Sequence, residues 1–165
     1  MDHNLINQYS QGGEELARSI QGLTAGDLQQ SPPANAGPEL GRWTIQQVVI
    51  HLADAEAALA DRIRRVIAED DPVLLAWDET KFAERLMYSE QSAEDAVALV
   101  SLTRRQLARV LRKLPEGAFE RAGRHSERGR QTLAEILAMA VGHLNHHLKF
   151  IKAKREHFGK PTTQW

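Results

Sequence analysis

Four histidines carry spacing that chemistry can use: His51, alone in the apolar run Val49-Ile50-His51-Leu52, and His143, His146 and His147 in Gly142-His143-Leu144-Asn145-His146-His147-Leu148. On a helix, positions i and i+4 share a face, with side chains stacked one above the other. His143 and His147 can therefore aim two imidazoles at one point. Neutral imidazole ligates zinc, nickel, copper and iron. A third ring from His51 would complete a set of three nitrogens with an open position, which is the layout of a catalytic metal site rather than a closed structural one. The plain alternative for each ring is a hydrogen-bonded core histidine. Burying three imidazoles without partners costs roughly 1–3 kcal/mol per unsatisfied group, and a metal removes that cost.

Helical-wheel arithmetic at about 100° per residue ranks the neighbours. Arg62 returns to within ~20° of the His51 face, three turns and ~16 Å of rise further on. A guanidinium there could hold a substrate carboxylate, or it could pair with Asp61 or Asp54. Asp54 lies ~60° from His51 and could orient an imidazole or simply face solvent. Glu56, ~140° away, should not touch a metal held by His51. His146 sits ~60° off the His143 face and could hydrogen-bond near the site or face a neighbouring helix. Asp54 and His146 are the candidates for a general base. Other chemistries lack their motifs. Leu144 stands where the zincin His-Glu-x-x-His needs Glu. No Glu-x-x-His of a carboxylate di-iron bundle occurs, nor a serine or cysteine nucleophile motif, nor a phosphate loop.

The elements that must position these residues read as helices. Leu5, Ile6, Tyr9, Leu16, Ile20 and Leu23 recur at helical spacing over about 4–23, with a break possible at Gly12-Gly13. The stretch 24–41 holds Pro32, Pro33 and Pro38 and reads as a loop. Thr44 with Gln47 forms a capping box, with Trp43 and Val48 as a hydrophobic staple. The stripe Ile45, Val48, Leu52, Ala55, Leu59, Ile63, Val66 then runs to near Asp70, before Pro72. Residues 72–91 form a long connection containing the apolar run Val73–Trp77 and a helical turn near 81–86. Ser92 with Asp95 starts a third long helix, with the stripe Ala96, Val100, Thr103, Leu107, Val110, Leu111 and Leu114, stopped by Pro115. Residues 116–131 read as a polar loop. Thr132 with Glu135 caps a fourth helix through Leu133, Ile136, Leu137, Ala140, Leu144, Leu148 and Ile151 to near His157.

Four such helices pack most simply as an all-α four-helix bundle. Composition agrees: 22 Ala and 19 Leu against 16 Val plus Ile favour helix over strand. The 165 residues fit one domain, 1–165, large enough to bury its own core. With no cysteine, disulfides, thiolate zinc sites and iron–sulfur clusters are excluded, and a reducing compartment is suited. Lys+Arg 21 against Asp+Glu 22 gives a net charge of −1, so no global field draws the chain to nucleic acid or membrane. A basic stretch over 101–130 is more simply a solvated helix face and its helix end. No apolar run approaches the ~20 residues of a membrane span. The polar start, 1–11, lacks a signal-peptide layout. The expectation is a soluble, cytoplasmic protein.

At these residues the chain resembles the DinB-like superfamily, whose relatives include YfiT-type metal hydrolases and bacillithiol- or mycothiol-dependent transferases. The matching pieces are Arg42-Trp43-Thr44-Ile45, His51-Leu52-Ala53-Asp54, Glu56 and Arg62, then Gly129, Thr132-Leu133, His143 and His146-His147. The resemblance covers about 41–155. It implies a four-helix bundle in up-down-down-up order, commonly a homodimer. It also implies a divalent metal, nickel or zinc most typically and iron or manganese otherwise, on His51, His143 and His147. The implied activity is hydrolysis or the transfer of a low-molecular-weight thiol, acting on a small-molecule substrate, in a superfamily named for damage-inducible expression. A non-enzymatic metal-binding or stress-response interaction module is the competing reading.

Overall fold

Side chains that satisfy free backbone N–H groups start the helices. Thr44 and Thr132 each accept from the backbone N–H three residues on, and Gln47 and Glu135 reach back to the cap. Ser92 accepts from the Asp95 N–H in the same way. The computed structural model describes residues 3–161, so the ends of the expected 1–165 domain lie outside the described residues. The elements in order are α1 (His3–Ile20), α2 (Ala25–Gln29), α3 (Ile45–Ala68), β1 (Val73–Leu74), α4 (Glu79–Arg85), α5 (Ala93–Leu111), a 3-10 turn (Glu116–Glu120), β2 (Ala122–His125), β3 (Gly129–Thr132) and α6 (Leu133–His157).

Four long helices, α1, α3, α5 and α6, form the bundle, and the core fixes their directions. One end gathers Ile6 and Tyr9 from α1, Leu59, Ile63 and Val66 from α3, Leu107 and Leu111 from α5, and Leu133, Leu137 and Ala140 from α6. The other end gathers Leu16, then Ile45, Val49 and Leu52, then Ala93, Ala96 and Val100, then Leu144, Leu148 and Ile151. Hence α1 and α6 run one way and α3 and α5 the other, in up-down-down-up order. Both α1 and α3 pack against both α5 and α6. The long connection between α3 and α5 is needed because those two helices are parallel neighbours.

The irregular stretches hold more structure than their composition suggests. Within 24–41, Thr24 and Asp27 build a complete capping box for α2. The expected polar loop 116–131 contains a β-hairpin, β2 antiparallel to β3, and β1 joins β2 in parallel with Val73 opposite Arg124. These strands are short and mostly polar, so no alternation of apolar residues announces them. The expected turn near 81–86 is α4, beginning two residues earlier because Asp78 caps it. Gly12 and Gly13 do not break α1. On α5, Val110 is exposed, whereas Arg104 and Ala108 are buried. The buried face there takes Arg104 beside the expected Thr103, and Ala108 in place of Val110. Among the described residues no helix is long and apolar enough to cross a membrane.

Candidate metal centre

The capping box at Thr44 sets the start of α3, which puts His51 on its second turn, facing α6 and fully buried. The cap at Thr132 sets the register of α6, which carries His143 and His147 one turn apart. His51 Nε2 lies 3.2 Å from His143 Nε2. The rings of His143 and His147 are 4.6 Å apart, as are those of His51 and His147. One ligand atom from each of the three lies within 4.8 Å of the others, so the trio could hold a metal ion. Two nitrogens bound at ~2.0–2.1 Å to one tetrahedral ion sit about 3.3 Å apart, so the closest pair already has that spacing.

The electrostatics suit neutral ligands. Burial, and then the neighbouring His143, hold the His51 imidazole down at about 3. Burial and the adjacent histidines hold His147 at about 3, and burial with Arg104 holds His143 at about 4. All three rings are therefore uncharged near neutral pH. His51 Nδ1 and His147 Nδ1 are buried without a hydrogen-bond partner. The set thus offers more buried nitrogen lone pairs and N–H groups than the protein satisfies. An ion accepting one lone pair per ring is the partner such a donor set fits.

Aromatic walls fix the rings. Trp43, expected as half of a hydrophobic staple, packs its indole 4.9 Å from His51, and Trp77 stacks on the same ring at 5.6 Å. Phe82 of α4 braces Trp77 edge-on, and Phe150 stands beside His146 and His147. Behind the trio, Glu56 accepts from the Tyr9 hydroxyl at 2.5 Å and from Arg104 Nε at 2.7 Å. Arg104 Nη2 donates to the Ala140 carbonyl, one turn before His143. One buried network thus ties α1, α3, α5 and α6 together beneath the site.

The remaining sequence candidates have distinct surroundings. Asp54 accepts the Tyr88 hydroxyl at 2.6 Å rather than a bond from an imidazole. His146 is exposed, with its ring edge-on to His147 at 5.2 Å. Arg62 pairs with neither Asp61 nor Asp54: its Nη2 donates to the Leu75 carbonyl at 2.5 Å. Together with His143 it lines a cavity of about 720 Å3. Sequence reasoning missed Trp77 and Glu79. Glu79 places Oε2 3.9 Å from His51 Nε2, and it too lines the cavity. Both lie in the connection after Pro72, where no periodicity links them to α3. The only local signal was the cap at Asp78 that starts α4 beside them.

The DinB superfamily profile matches residues 8–151. The chain belongs to the DinB superfamily. Among DinB proteins it is 30% identical over 148 aligned positions to a protein of Bacillus licheniformis provisionally named a metal-dependent hydrolase, covering 81% of this chain and 84% of that one. It is 29% identical over 147 residues to a similarly named protein of Oceanobacillus iheyensis, covering 89% and 84%. In three dimensions it matches YfiT of Bacillus subtilis, described provisionally as a metal-dependent hydrolase with an unusual four-helix bundle topology. That match has a TM-score of 0.84 and 24% identity, over 94% of this chain and 86% of that one. A mycothiol-dependent maleylpyruvate isomerase shares the fold at a TM-score of 0.65 and 15% identity, and this DinB chain spans 59% of it.

Proposed function

We propose that this DinB chain is a metal-dependent enzyme whose divalent ion, nickel or zinc by preference and iron or manganese otherwise, is held by His51, His143 and His147. The observation that carries the reading is the trio itself: three neutral imidazoles, one ligand atom of each within 4.8 Å of the others, beside a cavity that His143 lines. When bound, such an ion would supply Lewis-acid activation of a water or a low-molecular-weight thiol near neutral pH. The chain's own residues do the rest. Trp43 and Trp77 hold the His51 ring in place and exclude bulk water from one side. Glu79 is a proton acceptor 3.9 Å from His51 Nε2, and His146 is a second, beside His147. Asp54 steadies the wall through Tyr88 and does not reach the rings.

The cavity supports an enzyme acting on a small molecule over a closed, purely structural metal site, because a structural site has no use for a chamber of about 720 Å3 at its edge. The names of the relatives favour hydrolysis, and the isomerase of like fold keeps a thiol-dependent reaction within the proposal. Metal analysis of tag-free protein tests the reading. We expect about one divalent ion per chain, lost in His147→Ala, and turnover of ester or electrophile substrates that stops with that loss. Comparing turnover with and without an added low-molecular-weight thiol separates the two reactions. Unchanged metal content in His147→Ala would overturn the proposal.

A further inference from the structure

The cavity that His143 lines has a second region with its own chemistry. Arg62 lies three turns along α3 from His51, about 16 Å of helix rise away. Beside it in the cavity wall stand His125 and Arg128 of the β2–β3 hairpin. Arg62 is only 6% exposed, and among the described residues its side chain hydrogen-bonds the Leu75 carbonyl alone. Arg128 is exposed and rests Nη1 against the Met139 sulfur at 3.3 Å. Among the described residues neither arginine forms an ion pair. His125 is 5% exposed, and its Nδ1 accepts from the backbone N–H groups of Glu127 and Arg128. In the neutral ring the proton therefore sits on Nε2, a donor without a protein acceptor among the described residues.

The acidic side chains of the same cavity do not cancel this. Asp78 is paired with Lys81 at 2.8 Å, and Glu79 stands at the histidine end. Glu127 remains, and around His125 it is outweighed. Burial, Arg62 and Arg128 together hold that imidazole below its ordinary range against the opposing pull of Glu127. Asp61 and Glu127 favour the Arg62 charge without forming an ion pair with it, and a buried guanidinium with no paired anion is costly. A planar guanidinium matches the paired oxygens of a carboxylate or a phosphate. Leu59, Trp77 and Met139 add apolar wall to the same cavity, which suits an apolar body.

We propose that this cavity binds a small molecule through an oxyanion, a carboxylate or a phosphate, held by Arg62, Arg128 and the His125 Nε2–H, with its reacting group toward the three histidines. The reacting end rests on the metal reading above; the anion end rests on the two arginines and His125.

Calorimetric titration of the 165-residue chain with benzoate, phenyl phosphate and the neutral benzamide tests it. Either anion should bind at least about tenfold more tightly than benzamide, and whichever anion binds tells which source the site takes. Arg128→Gln, an exposed change that leaves the core alone, should weaken that binding by about tenfold while metal content stays unchanged. Arg62→Lys, which keeps the charge but loses the fork, should weaken it as well. Binding should persist in His147→Ala, which separates this site from the metal. Benzamide binding as tightly as the anions, no binding of either anion, or anion affinity that falls with metal loss but is unchanged in both arginine variants would overturn the proposal. Loss of metal in His147→Ala with anion binding intact supports both readings. Retained metal in that variant defeats the metal reading alone.

Discussion

His51, His143 and His147 are held uncharged by burial, with pKa values of about 3, 4 and 3 against about 6.5 in an unfolded chain. Below pH 6.5 the unfolded chain binds more protons than the folded one. The folded state therefore carries no penalty above that pH and loses stability as the pH falls toward 4. Chelator-treated protein should show a melting temperature that is flat above about pH 7 and drops below it. His143→Gln should make that drop shallower by up to about 1.4 kcal/mol per pH unit, the share of one titrating ring. An equal slope in the variant would refute the burial argument for that ring. The trio was legible in the sequence because i and i+4 on one helix fix their own geometry, and because His51 stood alone in an apolar run. Glu79 and Trp77 were not legible. Their nearness to His51 depends on how a non-periodic connection folds back over α3. Asp54 had the right angle on the helix but a nearer partner, Tyr88, that no spacing rule reveals.

At the scale of elements, α3, α5 and α6 were readable from their caps and α1 from its apolar spacing, and the errors fell where tertiary contact decides. Gly12 and Gly13 looked like weak points in α1. They are instead where α1 lies tight against its neighbours. A Cβ on Gly12 would stand 2.2 Å from Arg104 Nη1 and 2.4 Å from Leu144 Cδ2, and one on Gly13 would stand 2.5 Å from the Ser101 Cα. An alanine in a helix interior ordinarily gains about 1 kcal/mol over glycine. Gly13→Ala should lose that and more, destabilising by about 1–3 kcal/mol in urea unfolding, because the atom it meets is backbone and cannot swing aside. A stabilised Gly13→Ala protein would mean that α1 and α5 are further apart than described. The hairpin and α2 escaped the sequence reading for a different reason. Their strands and turns are too short to show a period, and their stability comes from packing on the bundle rather than from propensity.

At the scale of the whole molecule, the up-down-down-up order was available from the sequence only through family resemblance, since helix stripes do not say which helices are neighbours. The structure derives it from a core that splits into two ends. Between those ends the buried Glu56–Arg104 pair, with Tyr9, crosslinks all four helices beneath the histidine trio. Arg104→Met alone strands a buried carboxylate and should cost about 3–5 kcal/mol. Adding Glu56→Gln should recover most of that loss in chemical denaturation, and a double variant as unstable as the single one would argue against the pair as the source. The central claim is that two antiparallel helices, α3 and α6, bring three ring nitrogens to one ion. Anomalous diffraction from crystals of tag-free protein, recorded across the absorption edge of the metal found in it, tests that most directly. The account predicts one peak bonded to His51, His143 and His147, at about 2.0–2.1 Å if the ion is zinc. Rings turned to separate neighbours with no peak between them, or a peak on other residues, would contradict it.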